Sequence, residues 1–163
     1  MKHVGSYDLT PVGEVCITMR TVVQRVSDAR LVIDDILQAE ISAGLVILAG
    51  FTSSDTEQDI IWMVDKIAGL RIFPDDFEKL NLSVVDCKGQ VLVVPNFTLY
   101  GDCRKGRRPS FTKAAKPEEA NIMFDKFCAL LAEQVPLERG VFGAHMHVTL
   151  TNDGPITLVI SSE

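Results

Sequence analysis

The residues best suited to chemistry lie together between positions 91 and 111. An apolar run, Val91–Val94, is followed by Asn96 and Thr98. A dense basic group comes next: Arg104, Lys105, Arg107 and Arg108. A hydroxyl and an amide can hydrogen-bond a reacting oxygen, and guanidinium groups bind phosphate. This order predicts a site for a phosphate-bearing substrate, with a solvated basic loop as the alternative for residues 104–108.

Thr98 has three possible roles in such a site. The apolar run predicts a strand continuing to residue 98, on which Asn96 and Thr98 share a face and Phe97 points to the other. A nucleophilic threonine needs a base, and no His or Lys stands at a spacing that implies contact. The alternatives are a hydrogen-bond donor to a reacting oxygen and simple strand packing.

Two further pairs have unusual spacing. His145 and His147 alternate on a predicted strand, so both imidazoles face one side. A metal site would need a third ligand, which no nearby motif supplies, so a surface or packing role is favoured. Gly154 permits a close backbone approach, and the bond before Pro155 is of the one type that adopts the cis form at low cost. Alone, this dipeptide indicates a turn.

The bulk composition describes the setting of these residues. The chain has 163 residues and a net charge of −6, so any polyanion must be met locally. Its four cysteines (Cys16, Cys87, Cys103 and Cys128) form no C-x-x-C pair, which is typical of free thiols in a reducing compartment. There is no apolar run of membrane-spanning length and no apolar segment of a secretory signal. We therefore expect a cytoplasmic enzyme or binding protein.

The predicted elements describe an α+β single domain. The first helix is expected from an N-cap at Asp55, with Gln58 completing a capping box, and the second from Pro117 to a point before Pro136. Strands are predicted at 14–26, 30–33, 36–41, 44–51, 82–85, 90–98, 145–151 and 156–160. Most consecutive strands are joined by short turns, so we expect largely antiparallel, curved, barrel-like β-sheet layers covered by two helices.

Several blocks, in this order and spacing, resemble the D-aminoacyl-tRNA deacylases. The blocks are Val23-Gln24-Arg25-Val26, Leu70-Arg71-Ile72-Phe73, Leu80-Asn81-Leu82-Ser83, Asn96-Phe97-Thr98-Leu99, residues 104–111, Phe142-Gly143-Ala144 and residues 152–157. The resemblance covers about residues 19–161. It implies an enzyme that hydrolyses the ester between a D-amino acid and the 3′-terminal adenosine of tRNA. The same enzyme would also hydrolyse the ester of glycine mischarged onto the alanine tRNA. Such enzymes are homodimers with active sites at the subunit interface, and no metal or organic cofactor is implied.

The resemblance also implies roles for individual residues. Gly154 and a cis Pro155 would reach into the partner's site, where their carbonyls face the α-amino group and exclude an L side chain; Arg25 would hold this segment. Thr98, beside the ester with Asn96, would act as an orienting group because no base is evident. Phe97, Phe142 and Met146 would surround the terminal adenosine. The basic residues at 104, 105, 107 and 108 would meet tRNA phosphates.

Two departures from the family leave alternatives open. Pro95-Asn96 replaces the usual Ser-Gln, and a related group with proline there tolerates misacylated L-alanyl-tRNA. That change allows a deacylase with relaxed chirality, or a non-catalytic tRNA-binding relative. Met19 matches the usual family start, so we expect residues 1–18 to be an extension of a 19–163 domain, or Met19 to be the initiator.

Overall fold

A six-stranded mixed sheet and two α-helices dominate residues 18–162, the part of the chain that the computed structural model describes. The strands of the main sheet are β1 (Arg20–Ile33), β2 (Ile36–Ile41), β3 (Gly44–Gly50), β6 (Gln90–Pro95), β7 (Leu137–Arg139) and β8 (His147–Ser161). A small second sheet contains β4 (Phe73–Pro74) and β5 (Leu80–Leu82), and the helices are α1 (Glu57–Gly69) and α2 (Pro117–Ala132). The predicted α+β architecture, with a barrel-like sheet and two helices, is confirmed. The predicted extension and the start of the first strand at residue 14 lie outside the described residues, except for Thr18.

The long strand β1 is the centre of the sheet. β2 and β3 both pair with it in antiparallel fashion along one edge, and β8 pairs with it along the other. The predicted turn between β1 and β2 is present, and Asp34 and Asp35 have φ values of 50° and 61°. Asp tolerates this left-handed conformation better than most residues, which suits a two-residue hairpin.

Strands β3, β6 and β7 are parallel neighbours. Parallel strands need a crossover, and α1 and α2 lie in the two connections. The predicted hairpin between 82–85 and 90–98 is wrong. Ser83 instead begins a tight turn, in which its N–H donates to the Asp86 carboxylate at 2.8 Å, and β5 pairs with β4.

The N-cap of the first helix lies one residue later than predicted, and the capping box uses Asp59 in place of Gln58. Thr56 is the N-cap: its hydroxyl accepts from the Asp59 N–H, and the Asp59 carboxylate accepts from the Thr56 N–H. Asp55 points back and accepts from the Thr52 N–H at 2.9 Å. For the second helix both expectations are confirmed, because Pro117 is its first residue and it ends at Ala132.

The sheet separates two apolar cores, and alternate residues of each strand serve one or the other. In β6, Val91 and Val93 pack with the helices, and Leu92 and Val94 face the interior of the barrel. The helix-side core includes Met19, which is fully buried. Both faces of the central strands are therefore apolar, as a continuous apolar run predicts.

The last strand is a single strand with an outward bulge, so the prediction of two separate strands is wrong. Both halves of β8 pair with β1: Asn152 lies opposite Val26 and Thr157 opposite Gln24. Only Arg25 of β1 lies between these two pairs, whereas β8 has residues 153–156 there, so these residues of β8 do not pair with β1. A bulge of this kind re-aims backbone and side chains out of a sheet.

Candidate active site

An open pocket of about 940 Å³ lies beyond the end of β6. Leu48 and Val94 of the sheet form part of its lining, together with residues 95–98, Phe111, residues 114–117 and residues 142–146. Four separate segments therefore converge here. A cleft of this size with an apolar lining and a few polar groups is the usual form of a small-ligand site.

Asn96 and Thr98 both line this pocket. The predicted strand stops at Pro95, and residues 97–100 form a short 3-10 helix instead. Asn96 still donates its N–H to the Ala49 carbonyl at 2.7 Å, which fixes the point of departure from the sheet. The tight turn brings the Thr98 hydroxyl onto the side-chain oxygen of Asn96. The two residues lie together as predicted, but in a different local structure. The prediction that Phe97 points to the other side is wrong, because in the 3-10 helix Phe97 lines the same pocket.

Aromatic and thioether side chains form one wall of the pocket. Phe97 is 53% exposed, and its ring meets that of Phe111 edge to face, with centroids 5.2 Å apart. Phe142 and Met146 line the same pocket and are half-buried. An exposed aromatic surface of this kind suits stacking of a nucleobase.

The sequence predicts no part in this site for two polar pocket residues: it favours a surface or packing role for His145 and does not single out Lys116. His145 lines the cavity, and its ring lies edge to face against that of His147, 5.0 Å between centroids. Lys116, immediately before α2, is the other. The spacing of His145 and His147 does not predict this position, and only the folded loops bring His145 and Lys116 into the same pocket as Thr98.

Arg25 fixes the bulge of β8. Its side chain is nearly buried, with the residue 8% exposed, and its Nε donates to the Asp153 carbonyl at 3.1 Å. Nη1 donates to the Ile72 carbonyl at 2.7 Å, and the Asp153 carboxylate lies 3.3 Å from Nε. The Gly154–Pro155 peptide bond is cis, in agreement with the form that the resemblance implies, and Gly154 has a φ of 135°. Arg25 thus connects the main chain at Asp153 to the main chain at Ile72.

Gly154 and Pro155 are exposed and do not line the pocket of their own chain. Asn152 stabilises the turn that contains them, because its side-chain oxygen accepts a hydrogen bond from the Ile156 N–H at 2.9 Å. The segment is therefore well held and projects away from the sheet. Within one chain, the structure does not bring it together with Thr98.

The basic loop also lies outside the pocket lining. Asp102 and Ser110 close it through paired backbone hydrogen bonds of 2.8 and 3.0 Å. The Arg104 guanidinium binds the Asp102 carboxylate and holds the pKa of that carboxyl well below its usual range. All four basic side chains of the loop are exposed, and Arg104 is the one that forms an ion pair among the described residues.

No helix within residues 18–162 is long and apolar enough to cross a membrane. The same residues contain no group of three or more His, Cys, Asp or Glu side chains placed to hold a metal ion. Their cysteines are free: Cys87 and Cys103 are exposed, Cys128 is buried, and burial raises the pKa of the Cys128 thiol to about 12.

Comparison with known proteins assigns the family. A model of the D-Tyr-tRNA(Tyr) deacylase family matches residues 22–161, and the chain belongs to this family. It is 50% identical over 145 residues to a D-aminoacyl-tRNA deacylase of Thermotoga petrophila, covering 88% of this chain and 97% of the relative. It is 51% identical over 147 residues to that of Petrotoga mobilis, covering 89% and 98%. The solved structure of a c-Myc DNA unwinding element binding protein shares 34% identity and a TM-score of 0.84, over 88% of this chain and 99% of that one.

Proposed function

We propose that the pocket is the site at which this chain hydrolyses the ester bond of D-aminoacyl-tRNA, releasing the amino acid and the tRNA. Membership of the family makes the chain an aminoacyl-tRNA ester hydrolase, and the relatives at about half identity bear the name D-aminoacyl-tRNA deacylase. The observation that carries the assignment to this pocket is the hydrogen-bonded pair of Thr98 and Asn96 beside an exposed aromatic wall. A polar pair can act on the ester while the wall holds the adenosine.

The geometry favours an orienting role for Thr98. Its hydroxyl hydrogen is directed to the Asn96 oxygen, which leaves lone pairs on the Thr98 oxygen for an attacking water. The Asn96 amide retains its N–H donors for the ester carbonyl, where negative charge develops as water adds. Hydrogen-bond donors fixed before the reaction stabilise that oxyanion without further reorganisation.

The rest of the tRNA end would be bound by the aromatic wall of the pocket and by the basic loop outside it. Phe97, Phe142 and Met146 would receive the terminal adenosine, with stacking worth about 1–3 kcal/mol per base. Arg104, Lys105, Arg107 and Arg108 would meet phosphates further along the acceptor end. Such a substrate suits a cytoplasmic enzyme, with residues 19–163 as its deacylase-like domain.

Chiral selection requires a second copy of the chain in this proposal. Gly154 and Pro155 project from β8, are held firmly by Arg25, and lie outside their own pocket. In a homodimer they would enter the partner's pocket and present backbone carbonyls to the α-amino group of the substrate. Rejection of L substrates would then depend on backbone sterics, which allows many different D side chains.

The direct test is deacylation of four substrates by the purified protein: D-tyrosyl-, L-tyrosyl-, glycyl- and L-alanyl-tRNA, the glycyl ester on the alanine tRNA included. We expect hydrolysis of the D-tyrosyl and glycyl esters and survival of the L-tyrosyl ester. Thr98→Ser should retain most of the activity, whereas Thr98→Val should lower kcat about 10- to 100-fold. Intact D-tyrosyl-tRNA after prolonged incubation would refute the proposal, and tight tRNA binding without turnover would indicate a non-catalytic relative.

The second candidate is a deacylase with relaxed chirality. It is favoured by one observation, Pro95-Asn96 in place of Ser-Gln, because Pro95 lines the pocket beside the reacting pair. Hydrolysis of L-alanyl-tRNA at a rate comparable to that of the D-tyrosyl ester would support it. Reversal by Pro95→Ser combined with Asn96→Gln would assign the change to these two residues.

The interface site has its own test, a mixture of two defective subunits. Thr98→Val damages the pocket, and Arg25→Met loosens the projecting segment. In a mixed dimer, one of the two sites combines an intact pocket with an intact segment. We expect the D-to-L ratio of tyrosyl-tRNA hydrolysis to rise on mixing above the ratio calculated from the two variants assayed separately. A ratio equal to that calculated value would contradict an interface site.

A further inference from the structure

Lys116 lies in the lining of the pocket, immediately before α2. Of the lining residues within 18–162, Lys116 alone carries a permanent charge. It is exposed, and none of the ion pairs formed in the described part of the chain involves it. Its ammonium group is therefore free for a ligand.

The proposed substrate has one anionic group close to the reacting ester. With the ester at Asn96 and Thr98 and the adenine on the aromatic wall, the nearest negative charge is the 5′-phosphate of the terminal adenosine. The basic loop does not line the pocket, whereas Lys116 does. With a net charge of −6, the protein offers no general field that could replace a local contact.

We propose that Lys116 binds the 5′-phosphate of the terminal adenosine and so sets the depth at which the nucleotide enters the pocket. This inference rests on the proposed function of the pocket. A lysine ammonium is a compact charge on a flexible four-carbon stem and binds phosphate as a point charge. Lys116 is thus a substrate-binding residue, separate from the pair that acts on the ester.

Two small substrates that differ by a single group test the assignment. One is the 3′-O-D-tyrosyl ester of adenosine, and the other is the same ester of adenosine 5′-monophosphate. The variants are Lys116→Gln, Lys116→Arg and the control Lys113→Gln. Lys113 is an exposed lysine of the same loop that does not line the pocket. KM and kcat are measured for each pair, together with the salt dependence of D-tyrosyl-tRNA hydrolysis.

We expect the wild-type protein to favour the monophosphate by about 3- to 5-fold in KM, the size of one exposed charge-assisted contact. Lys116→Gln should abolish this preference with kcat unchanged, while Lys116→Arg and Lys113→Gln retain it. On D-tyrosyl-tRNA, Lys116→Gln should reduce the slope of log(kcat/KM) against log salt by about 0.7.

Three results would overturn the assignment. They are an equal loss on both small esters, an equal effect of Lys113→Gln, and an unchanged salt slope on D-tyrosyl-tRNA. Failure of the proposed function itself is distinguishable, because the wild-type protein would then leave D-tyrosyl-tRNA intact.

Discussion

Replacement of Arg25 should weaken both the fold and the choice between D and L substrates. Arg25→Met keeps most of the apolar stem but removes the donors to the Ile72 and Asp153 carbonyls, at 2.7 and 3.1 Å. A hydrogen bond from a charged donor contributes about 1.5–3 kcal/mol. The ion pair with Asp153 adds little, since that side chain is 57% exposed. We expect a total loss of about 3–5 kcal/mol, a large part of the 5–15 kcal/mol typical of a folded domain.

Arg25→Lys offers a graded version of the same change. Lysine places one ammonium group where arginine places a planar fork, so it can satisfy only one of the two carbonyls well. We expect about half of the loss in stability. The residues that lose their support are 153–155, so the D-to-L ratio of tyrosyl-tRNA hydrolysis should fall more than kcat for the D ester.

The assay combines urea unfolding with paired deacylation rates, and Arg30→Lys is the control. Arg30 lies on the same strand, is exposed, and stands opposite Thr149 in the ladder. Its replacement should leave stability within about 0.5 kcal/mol and selectivity unchanged. If Arg25→Lys lowers stability but preserves the D-to-L ratio, the bulge of β8 does not select chirality and the reasoning is refuted.

Three further predictions concern the scaffold. Gly44→Ala should cost at least about 3 kcal/mol in urea unfolding, because the added Cβ would lie 1.8 Å from the Gln90 carbonyl oxygen. In the control Gly69→Ala the added Cβ meets nothing within 4 Å, so that variant should be neutral or more stable by up to about 1 kcal/mol. Equal losses of stability in the two variants would contradict the packing argument. Thr56→Ala should cost about 1 kcal/mol through the lost N-cap, and an unchanged midpoint would refute that role. Burial raises the pKa of Asp55 to about 6, so its contribution to stability is fully present below about pH 4 and is lost as the pH rises through 6. Asp55→Asn should therefore gain stability relative to the wild type between pH 4.5 and 7.5 in thermal unfolding; a constant difference would contradict the raised pKa.

The parts of the fold that local chemistry determines were predictable from sequence. The turn at Asp34 and Asp35, the buried run of β3 and the start of α2 at Pro117 each depend on residues within a few positions. The pairing of β6 does not. Gly89 and the polar residues before it suggest a hairpin, but the partner of β6 is β3, which lies some forty residues earlier and is reached across a helix. The apolar run of β6 indicates a strand buried on both faces, but nothing in it identifies a partner so far away in the chain.

The candidate site also has parts that the local sequence predicts and parts that depend on long-range folding. The closeness of Asn96 and Thr98 followed from their spacing, although the 3-10 helix that joins them was not foreseen. Lys116 and His145 enter the pocket because separate loops converge there, and no spacing in the chain encodes that meeting. For the basic loop, charge density alone leaves both a phosphate-binding role and a solvated loop open, and the loop lies outside the pocket lining.

The bulge of β8 has a further consequence, for the way in which the molecule unfolds. On one side of it Leu150 packs into the barrel interior, and on the other Leu158 packs with the helices; both halves pair with β1. One pair of strands therefore runs through both apolar cores. Neither core can open without breaking the ladder that serves the other, so the backbone amides of both should exchange with solvent in a single cooperative event. Residues 153–156, which project from this pair of strands, should then lose their position only when the whole domain unfolds.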